Sequence, residues 1–523
     1  MNKIKAFTQR YTFLLLLIII TFSVTLRVYY IYQKEAFHID EILSFQIING
    51  NSNLRYQEFD QEYKDRWTNG KEFTDYFFTI HKENLKKDLK ALLKDTKDTP
   101  HPNLYYIALR LVLFNGIRGV DGLFKFYGIG LNIFLYSIGA FFLYLLFFNI
   151  YKEETYALLA VFFYSISIGS ISTSIYIRMY ELLSLSIILT IFLVFRTLDK
   201  EKPALLDFIL LSLVSTLGYL SHYYYTIFVV IIIFLILYHC LKDKQLKFIP
   251  YYLIAFIQGL INAQAFYPQF IRGFLTSGRT KEAYSKIDID FLINQLTTKI
   301  KVTYVIINEN VIYFLPVIAL SILILVGHSL LKKDKIIINH KEIYLALLAL
   351  SLSFLLMYIS PYNIIRYLSG VIPILIVLII IFIRLIPFQR LRYLIVVILC
   401  TIYIVRGLNA SNINYLFKGS QNKLIFQEIP SAPVYFLNSS RWAHGIVSAY
   451  FMEKQKYKVV LDEEPGLDFS ETGSKKIFLI IEGYPKYSAV KKQIDNEKWI
   501  IKKEVNYRSF IIIGIEKVDY GHA

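Results

Sequence analysis

The sequence is poor in cysteine and in charge. Only two cysteines, Cys240 and Cys400, occur in 523 residues, and both fall inside hydrophobic runs. This excludes a disulfide framework and gives no sign of redox chemistry or of a cysteine metal site. Charged residues make up 19% of the chain, whereas hydrophobic residues make up 55%. Such a composition is typical of a polytopic membrane protein.

Tryptophan is also scarce, with 3 residues against 42 tyrosines and 41 phenylalanines. Tyrosine must therefore supply most of the aromatic belts at the two membrane interfaces. The basic start, residues 1–10, precedes an apolar run over 11–30 that lacks a small-residue cleavage site. We therefore expect a retained first membrane helix and no removed signal peptide.

Basic residues outnumber acidic ones, 57 to 40, which gives a net charge of +17. In a membrane protein such an excess indicates contact with the anionic inner leaflet. Nucleic acid is therefore not expected as a partner. The chain shows no internal repeat and no low-complexity linker.

Apolar runs of about 20 residues, the length needed to cross the hydrocarbon layer as a helix, occur eleven times in the sequence. They lie near 11–31, 123–150, 155–174, 181–197, 204–222, 224–241, 248–267, 311–331, 342–359, 368–386 and 391–408. The run 103–114 is too short to cross and is predicted to lie in the outer face. The sequence thus predicts an all-α membrane bundle of about eleven helices over residues 1–408.

Basic residues in the short loops set the predicted orientation. With the N-terminus inside, four lysine- and arginine-rich loops fall on the cytoplasmic side, as the positive-inside rule requires. They contain Arg196, Lys200, Lys202, Lys242, Lys244, Lys247, Lys332, Lys333, Lys335, Arg390 and Arg392. The segments 32–122 and 268–310 are then external loops, and the tail from 409 lies outside.

The tail, residues 409–523, changes character. Four short runs read as strands, and helical patterns lie near 443–454 and 489–496. The predicted strands are 434–437, 458–461, 477–481 and 510–515. We expect a soluble extracytoplasmic α/β domain.

Unusual polar residues collect on the predicted external face. They are Asp40, Glu41, the run His101 to Tyr106, Arg178, Tyr180, the run Ser221 to Tyr224, Arg366 and Tyr367. Segments so far apart in sequence can meet only if their helices bundle. Ionisable groups at a membrane boundary are functional candidates by default.

These motifs, in this order and on one predicted side, resemble those of the GT-C superfamily of lipid-phosphosugar-dependent glycosyltransferases. The similar branch contains protein O-mannosyltransferases and aminoarabinose-to-lipid-A transferases. The resemblance covers roughly residues 1–410 and leaves the tail unassigned. It departs from the pattern at Asn103, where a second proline is usual, and at Ser221, where threonine is common.

The resemblance implies transfer of a sugar from a polyprenyl- or dolichyl-phosphate donor, with Asp40 as the base. Elementary chemistry agrees, because an acceptor hydroxyl is a poor nucleophile until a carboxylate takes its proton. A single displacement with one base predicts inversion at the sugar. Glu41 is expected to orient the acceptor or a neighbouring cation.

Arg178 and Arg366 are the candidates for stabilising the leaving lipid phosphate, because a guanidinium matches phosphate geometry. The other predicted donor-binding residues are His101, Tyr105, Tyr180, His222, Tyr223 and Tyr367. The expected partners are the donor, a glycan, lipid or protein acceptor, and membrane lipids. No cofactor is predicted, although a divalent cation stays open. The lysine- and isoleucine-rich composition suggests a bacterium with an AT-rich genome, and we expect the chain in the bacterial inner (plasma) membrane.

Simpler interpretations stay open for most of these motifs. Asp40 and Glu41 could begin a solvated loop, and His101 could belong to a turn followed by interface tyrosines. Arg178 could reach lipid headgroups, Tyr180 and Tyr223 could be belt residues, and His222 could be a hydrogen-bonded boundary residue.

Two other function classes compete with the transferase hypothesis. A transporter or flippase of lipid-linked saccharides would carry polar residues through its helices toward both faces. A ligase or polymerase of surface polysaccharide would use a lipid-diphosphate donor.

Overall fold

The computed structural model describes residues 2–49, 62–96, 101–119, 122–276, 281–282, 285–286, 289–331, 339–417, 432–437, 455–460, 467–482, 484–496, 499–507 and 510–518. The chain forms two compact units. The first comprises Met1–Gln33, Leu93–Leu109 and Tyr127–Leu416, and the second comprises Lys34–Leu92, Arg110–Phe126 and Phe417–Ala523.

The first unit is built from helices. They are α1 (Asn2–Gln33), α5 (Leu104–Val112), α6 (Leu123–Tyr151), α7 (Glu154–Ile166), α8 (Ile168–Ser174), α9 (Tyr180–Leu198), α10 (Leu205–Ser221), α11 (Tyr224–Lys242), α12 (Ile249–Phe266), α13 (Phe270–Thr276), α14 (Ile289–Asn310), α15 (Leu315–Leu331), α16 (His340–Ile359), α17 (Ile372–Leu385) and α18 (Gln389–Leu408). The last residues of α5 and the first residues of α6 are assigned to the second unit.

Seven helices in the described residues are long and apolar enough to cross a membrane. Two bent pairs, α7 with α8 and α14 with α15, raise the number to nine if each pair is one span. Helices α10 and α17, with 17 and 14 residues, are shorter than the roughly 20 residues that a full span needs. The predicted membrane bundle is confirmed. Each of the eleven predicted apolar runs contains a helix, but only seven to nine spans in the described residues are long enough to cross a membrane.

The segment 268–310, predicted as an external loop, is largely helical in the described part. It contains α13 and the 22-residue α14, whose end bends by 102° into α15. The short run 103–114 contains α5, a helix of nine residues. As predicted from the length of the run, this helix is too short to cross a membrane.

The second unit contains a six-stranded mixed sheet. Its strands are β1 (Trp67–Asn69), β4 (Val434–Leu437), β5 (Lys456–Val460), β6 (Lys476–Glu482), β7 (Trp499–Tyr507) and β8 (Phe510–Lys517). Their order is β1-β5-β4-β6-β8-β7. The strand β4 runs parallel to both neighbours, and the other pairs are antiparallel.

The remaining elements of this unit come mostly from the first predicted loop. They are α2 (Ile39–Ile48), α3 (Gly70–Phe77), β2 (Thr79–Ile80), α4 (Leu85–Lys94), β3 (Ile117–Arg118), which pairs with β2, and α19 (Tyr484–Asn496). The four strands predicted in the tail are confirmed. The sequence did not predict β7 or the participation of β1, and the helix predicted near 443–454 lies outside the described residues.

Buried hydrophobic side chains at alternate positions of the strands form the core of the sheet. Ile477, Leu479 and Ile481 of β6 share one buried cluster with alternate residues of β8 and with Ile494 of α19. Because side chains two apart on a strand lie on one face, this face packs under α19.

Candidate active site

Breaks between helices carry the polar residues of the first unit. The α8 helix ends at Ser174 and α9 begins at Tyr180, so residues 175–179 form a short link that contains Arg178. A second break lies at His222, whose backbone is extended (φ −160°, ψ 144°) between α10 and α11. Arg366 lies in the 3-10 turn Ile365–Leu368.

Arg178 is 2% exposed. It contacts two aromatic side chains, that of His101 just before α5 and that of Tyr106 within α5. Its Nη2 lies 3.2 Å from Nδ1 of His101, and its guanidinium lies 5.7 Å from the centre of the Tyr106 ring. The ring of His101 is in turn 5.1 Å, edge to face, from that of His222. Three segments distant in sequence, which contain His101, Arg178 and His222, therefore meet through the His101 ring.

Arg366 is 8% exposed and joins the same group of side chains from another direction. Its Nη1 donates a hydrogen bond of 2.7 Å to the Tyr176 hydroxyl, and its guanidinium lies 5.2 Å from the Tyr367 ring. Tyr176 stacks on Tyr180 at 5.9 Å, and Tyr180 packs against His222 at 5.6 Å.

Tyr224 completes the group. Its ring lies 4.3 Å from that of His222 and 5.9 Å from that of Tyr367, and its hydroxyl is 2.9 Å from that of Ser360. We call the whole group the two-arginine cluster. Its members are His101, Tyr106, Tyr176, Arg178, Tyr180, His222, Tyr224, Arg366 and Tyr367.

The two-arginine cluster brings together six of the eight predicted donor-binding residues. Tyr105 and Tyr223 are the other two. The Tyr105 hydroxyl donates to Asn132 at 3.1 Å, and that of Tyr223 donates to the carbonyl of Phe270 at 3.0 Å. These contacts indicate that the two tyrosines support neighbouring helices.

The second unit contains Asp40 and Glu41, in the first turn of α2. Glu41 forms a capping box with His38, because its Oε2 accepts the His38 backbone N–H at 2.7 Å. The same oxygen lies 3.0 Å from Nζ of Lys34, and both side chains are completely buried. Burial lowers the pKa of Lys34, and the opposing attraction of Glu41 is the smaller effect.

Asp40 is less enclosed, with its side chain 26% exposed. Its Oδ2 lies 3.5 Å from Nδ1 of His38, and its backbone N–H donates to the same nitrogen at 3.1 Å. A helix N-terminus favours the ionised form of a carboxylate, which is the form that a general base needs.

Several residues of these sites were missed from the sequence. Tyr176 and Lys34 were not predicted, although Tyr176 stands two positions before Arg178. Tyr224 was part of the predicted run Ser221 to Tyr224, but no donor contact was assigned to it. Among the residues that the structure describes, no three His, Cys, Asp or Glu side chains are grouped so that they could hold a metal ion.

Comparison with known proteins gives one family match. The family model PMT_2, described as dolichyl-phosphate-mannose-protein mannosyltransferase, matches residues 112–263. That segment contains Arg178, Tyr180, His222 and Tyr223. No curated protein matches the chain.

Two solved structures are similar in fold. The crystal structure of ArnT from Cupriavidus metallidurans bound to undecaprenyl phosphate has a TM-score of 0.50 and 8% sequence identity, and the match covers 95% of this chain and 97% of that one. The apo ArnT structure from the same organism has a TM-score of 0.45 at 8% identity, and the match covers 88% and 95% of the two chains.

The family match confirms the resemblance and the enzyme class that the motifs predicted. At 8% identity the likeness to the first ArnT structure shows the fold alone. It confirms a helical membrane bundle with a C-terminal mixed sheet.

Proposed function

We propose that this membrane glycosyltransferase moves one sugar from a polyprenyl-phosphate donor to a hydroxyl group of a glycan, lipid or protein. The observation that carries the proposal is the two-arginine cluster. Two guanidinium groups, Arg178 and Arg366, are buried among tyrosine and histidine side chains at helix breaks. Burying a guanidinium is costly, and a phosphate ligand would compensate that cost through charge-assisted hydrogen bonds.

The chemistry of the reaction requires cations at the leaving group. As the bond between the anomeric carbon and the phosphate oxygen breaks, the electron pair stays on the lipid phosphate, which gains charge. Donors that are already positioned stabilise that charge more in the transition state than in the bound donor. We assign this task to Arg178 and Arg366, and the sugar and phosphate contacts to His101, Tyr180, His222 and Tyr367.

Asp40 is the proposed general base. The acceptor oxygen forms a bond to the anomeric carbon, its proton passes to the Asp40 carboxylate, and the phosphate leaves, so that the configuration at the sugar inverts. For Glu41 we propose the second of its two predicted tasks, which is to orient a neighbouring cation. It binds a neighbouring cation, Lys34, and caps the helix on which Asp40 lies.

A polyprenyl phosphate is the lipid carrier that we propose for the donor. The similar ArnT structure is bound to undecaprenyl phosphate, and this lipid is therefore the probe for binding experiments on this chain. The basic short loops favour a cytoplasmic N-terminus in a bacterial inner membrane, with the reaction and the C-terminal domain on the extracytoplasmic side.

A donor comparison tests this function. The full-length protein in lipid nanodiscs is given a radiolabelled sugar on undecaprenyl monophosphate or diphosphate, together with an envelope extract from cells that lack the protein. We expect label in the acceptor and free lipid phosphate from the monophosphate donor alone. Transfer from the diphosphate only would indicate a ligase or polymerase.

A second arm addresses the transporter hypothesis. In proteoliposomes, movement of the intact donor between leaflets without release of lipid phosphate would indicate a flippase. Mass spectrometry of surface glycans, lipids and proteins with and without the chain would identify the acceptor.

A further inference from the structure

An arginine lies inside the first membrane helix. Arg27 belongs to α1 and is completely buried. Its Nε donates to Oγ of Ser174 at 2.8 Å, and its Nη2 donates to Oγ of Ser170 at 2.7 Å. Its guanidinium also lies 3.6 Å from the centre of the Tyr136 ring. A buried cation with this many partners within a membrane span marks a site under constraint.

Ser174 connects this arginine to a buried acid. Its hydroxyl lies 2.5 Å from Oε1 of Glu181, and both residues are at most 1% exposed. Ser174 is the last residue of α8, and Glu181 is in the first turn of α9. The side chains of Arg27 and Glu181 thus meet at one hydroxyl, which connects the two ends of the link 175–179.

The other side of the link is held by α6. Asn132 donates from Nδ2 to the carbonyl of Tyr176 at 2.7 Å. One turn earlier, Gly128 lies so close to Ile177 that a Cβ at this glycine would come within 2.8 Å of that side chain. The link is therefore fixed on both sides by groups that are not in the two-arginine cluster.

The position of this link determines both guanidinium groups. Arg178 is part of it, and its backbone N–H donates to the Tyr176 carbonyl at 2.7 Å. The Tyr176 hydroxyl accepts from Arg366 at 2.7 Å. A shift of the link would therefore move Arg178 directly and would break the contact of Arg366.

We infer that Arg27, Ser174 and Glu181 form an intramembrane positioning network, which holds the link 175–179 so that Arg178 and Arg366 bind the lipid phosphate of the donor. The ligand in this inference rests on the function proposed above. The network itself is a set of contacts within the first unit. Each of its three residues acts through the link and not by touching the donor.

Affinity for undecaprenyl phosphate is the first test. Ser174→Ala removes the shared hydroxyl, and Glu181→Gln replaces the carboxyl group that contacts this hydroxyl by an amide. Ser186→Ala is the matched control, because Ser186 is equally buried in α9 and donates to the Leu182 carbonyl of its own helix. Titration of the full-length proteins in nanodiscs should give a Kd roughly tenfold to a hundredfold higher for the two network variants and unchanged for the control.

Kinetics and thermal stability distinguish positioning from bulk packing. A positioning role raises KM for the donor with a smaller change in kcat, and leaves the Tm of Ser174→Ala near that of Ser186→Ala. A lower Tm with an unchanged Kd would overturn the inference and would indicate that the network only holds helices together.

A second readout does not depend on any ligand. The structure of the Glu181→Gln protein, determined by cryo-electron microscopy, should show Nη2 of Arg178 beyond hydrogen-bond distance of His101. An unchanged contact would overturn the inference even if the protein transfers sugar. If the unmodified protein bound undecaprenyl phosphate no better than undecaprenol, the proposed function would fail, and the structural readout would still decide the inference.

Discussion

Lys34 and Glu41 form an ion pair of 3.0 Å in which both side chains are completely buried. Lys34 follows the last residue of α1, and Glu41 caps the helix that carries Asp40. The Lys34 nitrogen also lies 5.6 Å from the centre of the Phe37 ring and 5.5 Å from that of Phe417. The pair therefore fixes the start of the segment in which the proposed base lies.

Removing one partner of this pair should destabilise the protein strongly. Glu41→Gln leaves a buried ammonium without its counter-charge, which costs about 3–5 kcal/mol in comparable cases. Chemical denaturation followed by tryptophan fluorescence of the second unit measures this loss. The double variant Lys34→Met, Glu41→Gln should recover part of it, and a double variant less stable than Glu41→Gln alone would contradict this role.

The same pair predicts a rise of stability at alkaline pH. Burial lowers the pKa of Lys34 below its ordinary 10.5, so the unfolded chain binds more protons than the folded one between the lowered pKa and 10.5. In that window the Lys34 contribution to the free energy of unfolding increases with pH and is lost as pH falls. Unfolding measured from about pH 8 to 11, the range around the ordinary lysine pKa, should show a smaller slope in Lys34→Met. An identical slope would argue against a buried charge.

Arg366→Lys should weaken binding of undecaprenyl phosphate. Lysine keeps the charge but loses the forked donors, one of which reaches the Tyr176 hydroxyl and which we propose also bind the phosphate. We expect Kd to rise about tenfold, since one hydrogen bond to a charged group contributes roughly 1.5–3 kcal/mol. Arg272→Lys, at an exposed arginine of α13, is the control in the same titration. Equal affinities for both variants would remove Arg366 from the site.

Much of this fold follows from hydrophobic length alone. The eleven apolar runs were found because a bilayer demands about 20 apolar residues per helix. Their polar interruptions were harder to interpret. The break at Ser167 divides one apolar run into α7 and α8, so this run does not form one straight span. Another run contains α17, which is short and is buried among other helices. Such features depend on packing, which a hydropathy pattern does not contain.

One missed element, β1, has its partner strand far away in sequence. The three residues of β1 show no strand pattern, and they pair with residues of β5 in the C-terminal tail. The ion pair of Glu41 was expected only as a contact with a neighbouring cation, and its partner Lys34 was missed for a different reason. Its signal is a glutamate at the third position of a helix capped by histidine, whereas capping boxes usually begin with serine or threonine.

Trp67 should anchor the first-loop strand to the tail sheet. Its ring packs on Tyr435 at 5.1 Å, and its Nε1 donates to Glu471 at 3.1 Å. Trp67→Ala should lower the free energy of unfolding by about 2 kcal/mol, which is less than the loss expected for a fully buried tryptophan, because this side chain is half-buried. The substitution should also make β1 accessible to limited proteolysis. Trp67→Phe keeps the ring contact and should resist cleavage nearly as well as the unmodified chain. Equal resistance of all three proteins would show that β1 does not depend on this residue.

The activity of Asp40→Asn tests the proposed mechanism most directly. The substitution keeps the size of the side chain and removes the base, so transfer from the monophosphate donor should fall by about 10²–10⁴-fold. Its Kd for undecaprenyl phosphate and its Tm should stay at the values of the unmodified protein. An Asp40→Asn protein that transfers sugar at the full rate would contradict the mechanism.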